Sequence, residues 1–383
     1  MKFNALPLLA LTLFSAGALA VTNPYQLTTE ADVPALHQQT LPDFWRDHAA
    51  PGEFKGKDGV TIRYAALRQA KVDRAILLVN GRVESYLKYQ ELAWDLWRQG
   101  YSLYLIDHRG QGLSDRLLAD KEKGYVADFD DYVLDLKQFH DQVILADKPA
   151  KLFLLAHSMG GAISARYLEH WPDDVEAAVL SSPMMGINLG GLPKWLAQGL
   201  ATTMDTVGSW WGEPPYGPGQ TGYVSHEFTD NGLSHSEPRY QAFRQLYEQH
   251  PQIKLGGVRD HWIREGIKAG DAAIAEADRI TTPLLLIQAG EDGIVDNQAQ
   301  DSFCDRLQCE GGKPLRIEGA WHELFIEADA QRLRSLGAPV QGVFGNLKFD
   351  VVPDAAQLAQ GRAWRAPLPR PVVLLASSRE GEE

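Results

Sequence analysis

The run Leu152–Gly161, reading LFLLAHSMGG, constrains the fold of this chain more than any other stretch. Leu152 to Leu155 are continuously apolar over a length that suits a buried strand. Ser158 follows, with Ala156 two residues before it and Gly160 two residues after. A strand that ends on such a serine and turns at once into a helix is a nucleophile elbow, which presents the hydroxyl at the tip of a strained turn. The turn crowds the two flanking positions, so both must be small. Ala156 stands where glycine is usual and narrows the tolerance of the turn without forbidding it.

An elbow needs a sheet to carry it, and the rest of the chain supplies one. The alternation from Phe54 to Arg68 around Gly59 predicts an antiparallel hairpin. Beyond it, short apolar strands recur at Ala75–Val79, Leu103–Ile106, Leu152–Leu155, Val175–Leu180 and Leu284–Ile287. Unbroken apolar runs of this length fit a parallel sheet covered on both faces. Between them, Tyr89, Leu92, Ala93, Leu96 and Trp97 share one helical face that Gly100 is placed to end. Phe129, Tyr132, Val133, Leu136 and Phe139 do the same after Asp128, an N-cap. The pattern is that of an α/β protein with a mostly parallel, doubly wound sheet.

The alternation fails between Met185 and Ala277, where Gly, Pro, Trp and Tyr accumulate, and this segment reads as an inserted cap. Trp195, Trp210, Trp211 and Tyr216 within it are candidates to line an acyl-chain pocket or to rest at a lipid interface. The alternative is that they form the cap's own small core. The expected organisation is therefore a targeting segment at 1–20, a core at 21–184, a cap at 185–277, a second core part at 278–340 and a poorly ordered tail at 341–383.

Composition narrows the partners. A formal charge of -13 without a clustered Lys/Arg run argues against nucleic acid or an anionic bilayer surface as the main partner and favours a neutral or zwitterionic small molecule. Lys2, the apolar stretch Leu6–Leu13 and Ala18-Leu19-Ala20 read as a cleavable export signal, implying a periplasmic or secreted protein. The alternative is an uncleaved segment that anchors the chain to a membrane. Cys304 and Cys309 are the only cysteines and can pair in an exported protein. Residues five apart in a continuous helix lie about 8–9 Å apart at Cα, too far to bridge, so a helix must end near Cys309, as Gly311-Gly312 suggests. No His or further Cys stands at ligand spacing beside them, and no metal is expected.

A serine hydroxyl is a weak nucleophile and needs a histidine to take its proton and an acid to support that histidine. In this topology they follow in the order Ser, acid, His. After the strand Leu284–Ile287, the loop Gly290–Asp296 offers Asp292, with Glu291 and Asp296 as rivals that sequence alone does not separate. After Leu315–Ile317, Gly319-Ala320-Trp321-His322 places His322 in the next such loop. His157 adjoins the serine but points away along the turn, and His108, in Asp107-His108-Arg109-Gly110-Gln111-Gly112, reads as part of the site wall. Two backbone N–H groups are expected to face a developing oxyanion. One is Met159, directly after the serine. The other is Arg82, in the turn Asn80-Gly81-Arg82 after the strand Ala75–Val79.

Together, Val79–Tyr89, Asp107–Ser114, Ala156–Gly161 and Gly319–Glu323 resemble bacterial lysophospholipases of the L-two type, close to the monoacylglycerol lipases among the α/β-hydrolases. The resemblance runs from about Phe44 to Leu336. It implies an α/β-hydrolase fold with a cap, a triad of Ser158, Asp292 and His322, oxyanion donors Arg82 and Met159, no cofactor, and single-chain acyl esters as substrates, with transient contact to a membrane surface. Asn-Gly-Arg followed by Glu, Tyr and Lys points to the lysophospholipase branch, since the glyceride branch usually has His-Gly there. The chain departs from the pattern at Ala156, at Gly293, where proline is common, and in its C-terminal tail. Competing readings are a monoacylglycerol lipase or general esterase, a proline-iminopeptidase-like peptidase using cap acids Glu213, Glu227 and Asp230, and a non-catalytic lipid-binding module.

Overall fold

The computed structural model of the protein describes residues 23–208 and 215–344. Residues 1–20, expected as a targeting segment, together with Trp210, Trp211, Glu213 and the residues beyond 344, lie outside the described residues. An eight-stranded sheet runs in the order β1-β2-β4-β3-β5-β6-β7-β8. The expected hairpin is present as β1 (Ala49–Lys55) and β2 (Thr61–Leu67), paired antiparallel with Phe54 opposite Ile62. β2 pairs antiparallel with β4 (Ser102–Asp107), and from there the sheet is parallel through β3 (Arg74–Val79), β5 (Lys151–His157), β6 (Ala177–Ser181), β7 (Leu284–Ala289) and β8 (Leu315–Ile317).

Alternate residues of each central strand enter different cores, as a period of two requires. Leu77, Ile106, Leu154, Leu180 and Leu286 face one cluster, and Ile76, Leu78, Leu105, Leu155 and Leu285 face the other. Both faces are covered, which is why the strands read as unbroken apolar runs. On the first face lie α4 (Asp130–Phe139), α5 (Met159–His170), α8 (Asp260–Glu276) and α9 (Asn297–Leu307), contributing Phe139, Ile163, Trp262 and Phe303. The second face takes α2 (Leu41–His48), which follows the short α1 (Val33–Ala35), together with α3 (Gln90–Arg98), α10 (Asp329–Leu336) and α11 (Ala338–Phe344). Asp128 accepts from the N–H of Asp130 at 3.0 Å, and Gly100, with φ +87°, stands just beyond α3.

Two boundaries differ from the sequence expectation. Residues 341–344 are the end of α11 and not tail: Val340, Val343 and Phe344 are buried, and the Phe344 ring lies 4.9 Å from that of Phe153. Within the segment 185–277, α6 (Lys194–Gly208) and α7 (Glu237–Gln249) lie outside the sheet layers. The last helix of that segment, α8, packs on α5 and α9 as well as on α6, so it serves as the covering helix of the β6-to-β7 crossover. The cap's own apolar cluster is built from Tyr240, Phe243 and Tyr247 of α7 with Ile253 and Ile326. At the far edge, α9 stops at Leu307 because Gln308 turns left-handed, with φ +60°. That brings Cys304 and Cys309 to a Cα separation of 5.0 Å, where they are disulfide-bonded. No described helix is long and apolar enough to cross a membrane.

Candidate active site

β5 ends at His157 and α5 starts at Met159, leaving Ser158 alone in the turn with φ +53° and ψ -120°. A non-glycine residue pays for such a backbone only where the surroundings over-determine it. Here they do. The Ser158 N–H donates to Ser181 O at 3.0 Å, and its carbonyl accepts from Gly161 and Met184, each at 2.9 Å. A Cβ on Gly160 would lie 2.3 Å from Val79 O and 2.4 Å from Asn80 O, so only glycine lets α5 approach the end of β3 this closely. Ala156 is accommodated in full burial, at the end of β3's pairing with β5.

The loops after β7 and β8 bring the other two groups to this serine. His322 Nε2 lies 2.9 Å from Ser158 Oγ, and His322 Nδ1 lies 2.8 Å from Asp292 Oδ2. The second carboxylate oxygen of Asp292 accepts the N–H groups of Ile294 (2.8 Å) and Val295 (3.0 Å). Burial alone would raise the Asp292 pKa, but the bond from His322 and these N–H groups hold it below the ordinary carboxylate value. The two rivals have other positions: Asp296 caps α9 through the N–H of Gln298, and Glu291 is exposed. A carboxylate, an imidazole and a hydroxyl in one hydrogen-bonded line can pass the serine proton to Nε2 while Nδ1–H stays held by the acid.

Opposite the elbow stands the turn Asn80-Gly81-Arg82. A Cβ on Gly81 would meet Ser158 Cβ at 3.1 Å and His157 Cδ2 at 3.2 Å, so glycine permits this contact. Val83 follows with φ +62°, an unfavourable conformation for a β-branched residue. The turn is fastened from all sides. Gln111 Nε2 donates to Gly81 O at 2.7 Å, Tyr247 Oη donates to Val83 O, and Gly81 N–H donates to Glu84 Oε2 at 2.5 Å. Among the described residues, no protein acceptor takes the N–H of Arg82 or of Met159. Met159 also begins α5, where the helix dipole favours negative charge.

Beneath the turn lies a buried charged cluster that sequence reasoning missed. Lys88 Nζ sits 2.5 Å from Glu84 Oε1 and 2.7 Å from Glu323 Oε2, and His157 Nε2 is 3.3 Å from the same Glu323 oxygen. Burial would raise the Glu323 pKa, yet the positive charges of Lys88 and His157 hold it well below the usual range. Glu84, His157 and Glu323 bring their ligand atoms close enough together to hold a cation, and the Lys88 ammonium occupies the place between the carboxylates. The sequence signal was the i,i+4 pair Glu84/Lys88 directly after the Gly81 turn. His157 does not point wholly away, since its ring centroid is 4.8 Å from that of His322. His108 forms the wall: its Nε2–H donates to Asn80 O at 3.1 Å, and burial pulls its pKa down to about 4. Trp195 is 73% exposed, so it lines no enclosed pocket and belongs to no cap core. Tyr216 is half-buried and donates to Asp120 Oδ2 at 2.9 Å.

This fold and this constellation define an α/β-hydrolase of the serine ester hydrolase class. A family model described as serine aminopeptidase, S33 matches residues 70–329. Lysophospholipase L2 of Escherichia coli strain K12 is 40% identical over 318 residues, 82% of this chain and 92% of the relative. A probable lysophospholipase L2 of Haemophilus influenzae is 33% identical, over 78% of this chain and 94% of the relative. Among solved structures, the monoacylglycerol lipase of Paleococcus ferrophilus superposes with a TM-score of 0.56 at 20% identity, covering 78% of this chain and 98% of that one. The chain belongs to the lysophospholipase L2 family.

Proposed function

We propose that the protein cleaves the acyl ester of lysophospholipids to a fatty acid and a glycerophospho-alcohol through an acyl-enzyme. The observation that carries this reading is the line Asp292–His322–Ser158 at 2.8 and 2.9 Å. His322 Nε2 accepts the Ser158 proton as Oγ attacks the acyl carbonyl, and the N–H groups of Arg82 and Met159 receive the oxyanion. His322 then returns the proton to the departing glycerol oxygen, and water, deprotonated by the same imidazole, releases the fatty acid. The carbonyl carbon is transferred from one oxygen to another, so no redox partner is required. Ser158→Ala in the purified enzyme tests it: hydrolysis is expected to vanish with the fold intact. Near-normal turnover in that variant removes the assignment. Lysophosphatidylcholine, lysophosphatidylethanolamine and monoacylglycerol compared side by side test the substrate class.

The same reading includes export and contact with a lipid surface. Two features support it: the signal-like residues 1–20, and a disulfide, which persists in oxidising compartments. The start of the cap exposes Leu192, Trp195, Leu200 and Met204, an apolar set suited to the headgroup boundary. Mass spectrometry of the cell-derived protein should give an N-terminus after Ala20, and a Trp195→Ser variant should bind phospholipid vesicles more weakly. An intact N-terminus or unchanged vesicle binding would remove the respective element.

A further inference from the structure

The Arg82 side chain has a different environment from its backbone. The guanidinium is only partly accessible, and among the described residues no carboxylate lies within ion-pair distance of it. Glu84, the nearest acid along the chain, is already engaged by Lys88, Tyr89 and Gly81 N–H. Nη1 donates to Gly256 O at 3.0 Å, and the Trp262 ring lies 5.4 Å from the guanidinium carbon. Nε and Nη2 donate to no protein acceptor among the described residues. Gly124 keeps the adjoining wall low, because a Cβ there would come within 3.3 Å of Nη1 and 2.8 Å of Val258 Cγ1.

A desolvated cation without a counter-charge is costly, and such groups mark sites where an anion arrives from outside. Burial pulls the Arg82 pKa down to about 10, which still leaves the group charged at neutral pH. The turn that carries it touches the nucleophile, since Gly81 lies against Ser158. A lysophospholipid brings a phosphodiester only a few bonds from its reacting carbonyl. The planar fork of an arginine, steadied on an aromatic face, matches two phosphate oxygens. A monoacylglycerol has no anion to offer it.

We infer that the Arg82 guanidinium is the phosphodiester-recognition group of the active site and sets the preference for lysophospholipid over monoacylglycerol. The inference rests on the lysophospholipase reading. Arg82→Met and Arg82→Lys retain a backbone N–H at the oxyanion turn, so the decisive readout is the ratio of kcat/KM for lysophosphatidylcholine to that for monoacylglycerol of the same acyl chain. The methionine variant should lower that ratio about tenfold or more, mainly through KM, with lysine restoring part of it. Glycerophosphocholine should inhibit the wild type and lose potency in the methionine variant. An unchanged ratio, or equal losses on both substrates with a lower melting temperature, would show Arg82 to be a strut to Gly256 and overturn the inference. A wild type that cleaves monoacylglycerol alone would refute the lysophospholipase reading, and glycerophosphocholine inhibition of that reaction would still decide the phosphate site.

Discussion

Replacing Gly160 by alanine sets two opposing effects against each other. In an exposed helix interior the change would stabilise by about 1 kcal/mol, because glycine is the poorer helix former. Gly160 lies in the first turn of α5, where the new methyl would stand 2.3 Å from Val79 O and 2.4 Å from Asn80 O. Ordinary carbon–oxygen contacts begin near about 3.3 Å, so the groups must separate by about 1 Å. No rotamer can absorb this, since both obstacles are main-chain carbonyls. Val79 is held in parallel pairing to β4 and β5, and Asn80 O accepts from His108. The displacement therefore falls on the start of α5 or on the Asn80–Arg82 turn, the two places that carry the proposed oxyanion N–H donors. Overpacking of this kind costs about 1–3 kcal/mol, which outweighs the helix gain. A misplacement of about 1 Å at a reacting centre lowers turnover by about 10²-fold. The assay is kcat per active site on a soluble ester, with sites counted by a fluorophosphonate, beside a thermal melt. Gly199→Ala in α6 is the control, because nothing lies within 4 Å of its Cβ position and it should melt slightly higher with unchanged kcat. A Gly160→Ala enzyme with wild-type turnover and an equal or higher melting temperature would refute the reasoning.

Asp292→Asn should lower kcat by about 10⁴-fold with little change in KM, because the amide holds His322 in the wrong tautomer, as steady-state kinetics will show. Lys88→Met leaves the Glu84 and Glu323 carboxylates buried without their cation, and urea unfolding should register a loss of about 3–5 kcal/mol, largely recovered when both acids are also changed to glutamine. His108 gives a pH dependence of definite sign: unfolded, it takes a proton near 6.5, and folded only near about 4. The unfolded state thus binds more protons in that window, and stability falls as pH drops from 6.5 through about 4, by about 3 kcal/mol in all. His108→Gln should remove this part of the acid loss, so that urea midpoints at pH 7, 5.5 and 4.5 fall less steeply than in the wild type.

Local pattern was enough for the sheet and for the order of its elements. The unbroken apolar runs of β3 to β7, buried along nearly their whole length, and the small residues around Ser158 are determined by near neighbours, so they are visible in the chain itself. For the carboxylate that faces His322, the residues offer Asp292 with two rivals and the resemblance implies Asp292, but the loop alone does not separate the three, because the choice depends on where β7 and β8 end in space. Only there does Asp296 become a cap, Glu291 face solvent and Asp292 turn inward. Trp195 of the cap illustrates the opposite error. An apolar ring suggests a pocket, yet Trp195 stands in solvent while Tyr240, Phe243 and Tyr247 fill the cap cluster. The end of the domain was also placed too early, since Phe344 is buried by Phe153 and Tyr101, far away along the chain.

By itself, then, the sequence determined the α/β alternation, the elbow and the imidazole that belongs with it, because each is written in residues adjacent or periodic along the chain. The tertiary structure alone decided why Asp296 and Glu291 are kept out of the line, how Lys88 joins Glu84 to Glu323, and where the Arg82 guanidinium stands. Those are matters of burial and charge between segments as far apart as Lys88 and Glu323, 235 residues along the chain, and long-range electrostatic pairing has no period that a sequence can display.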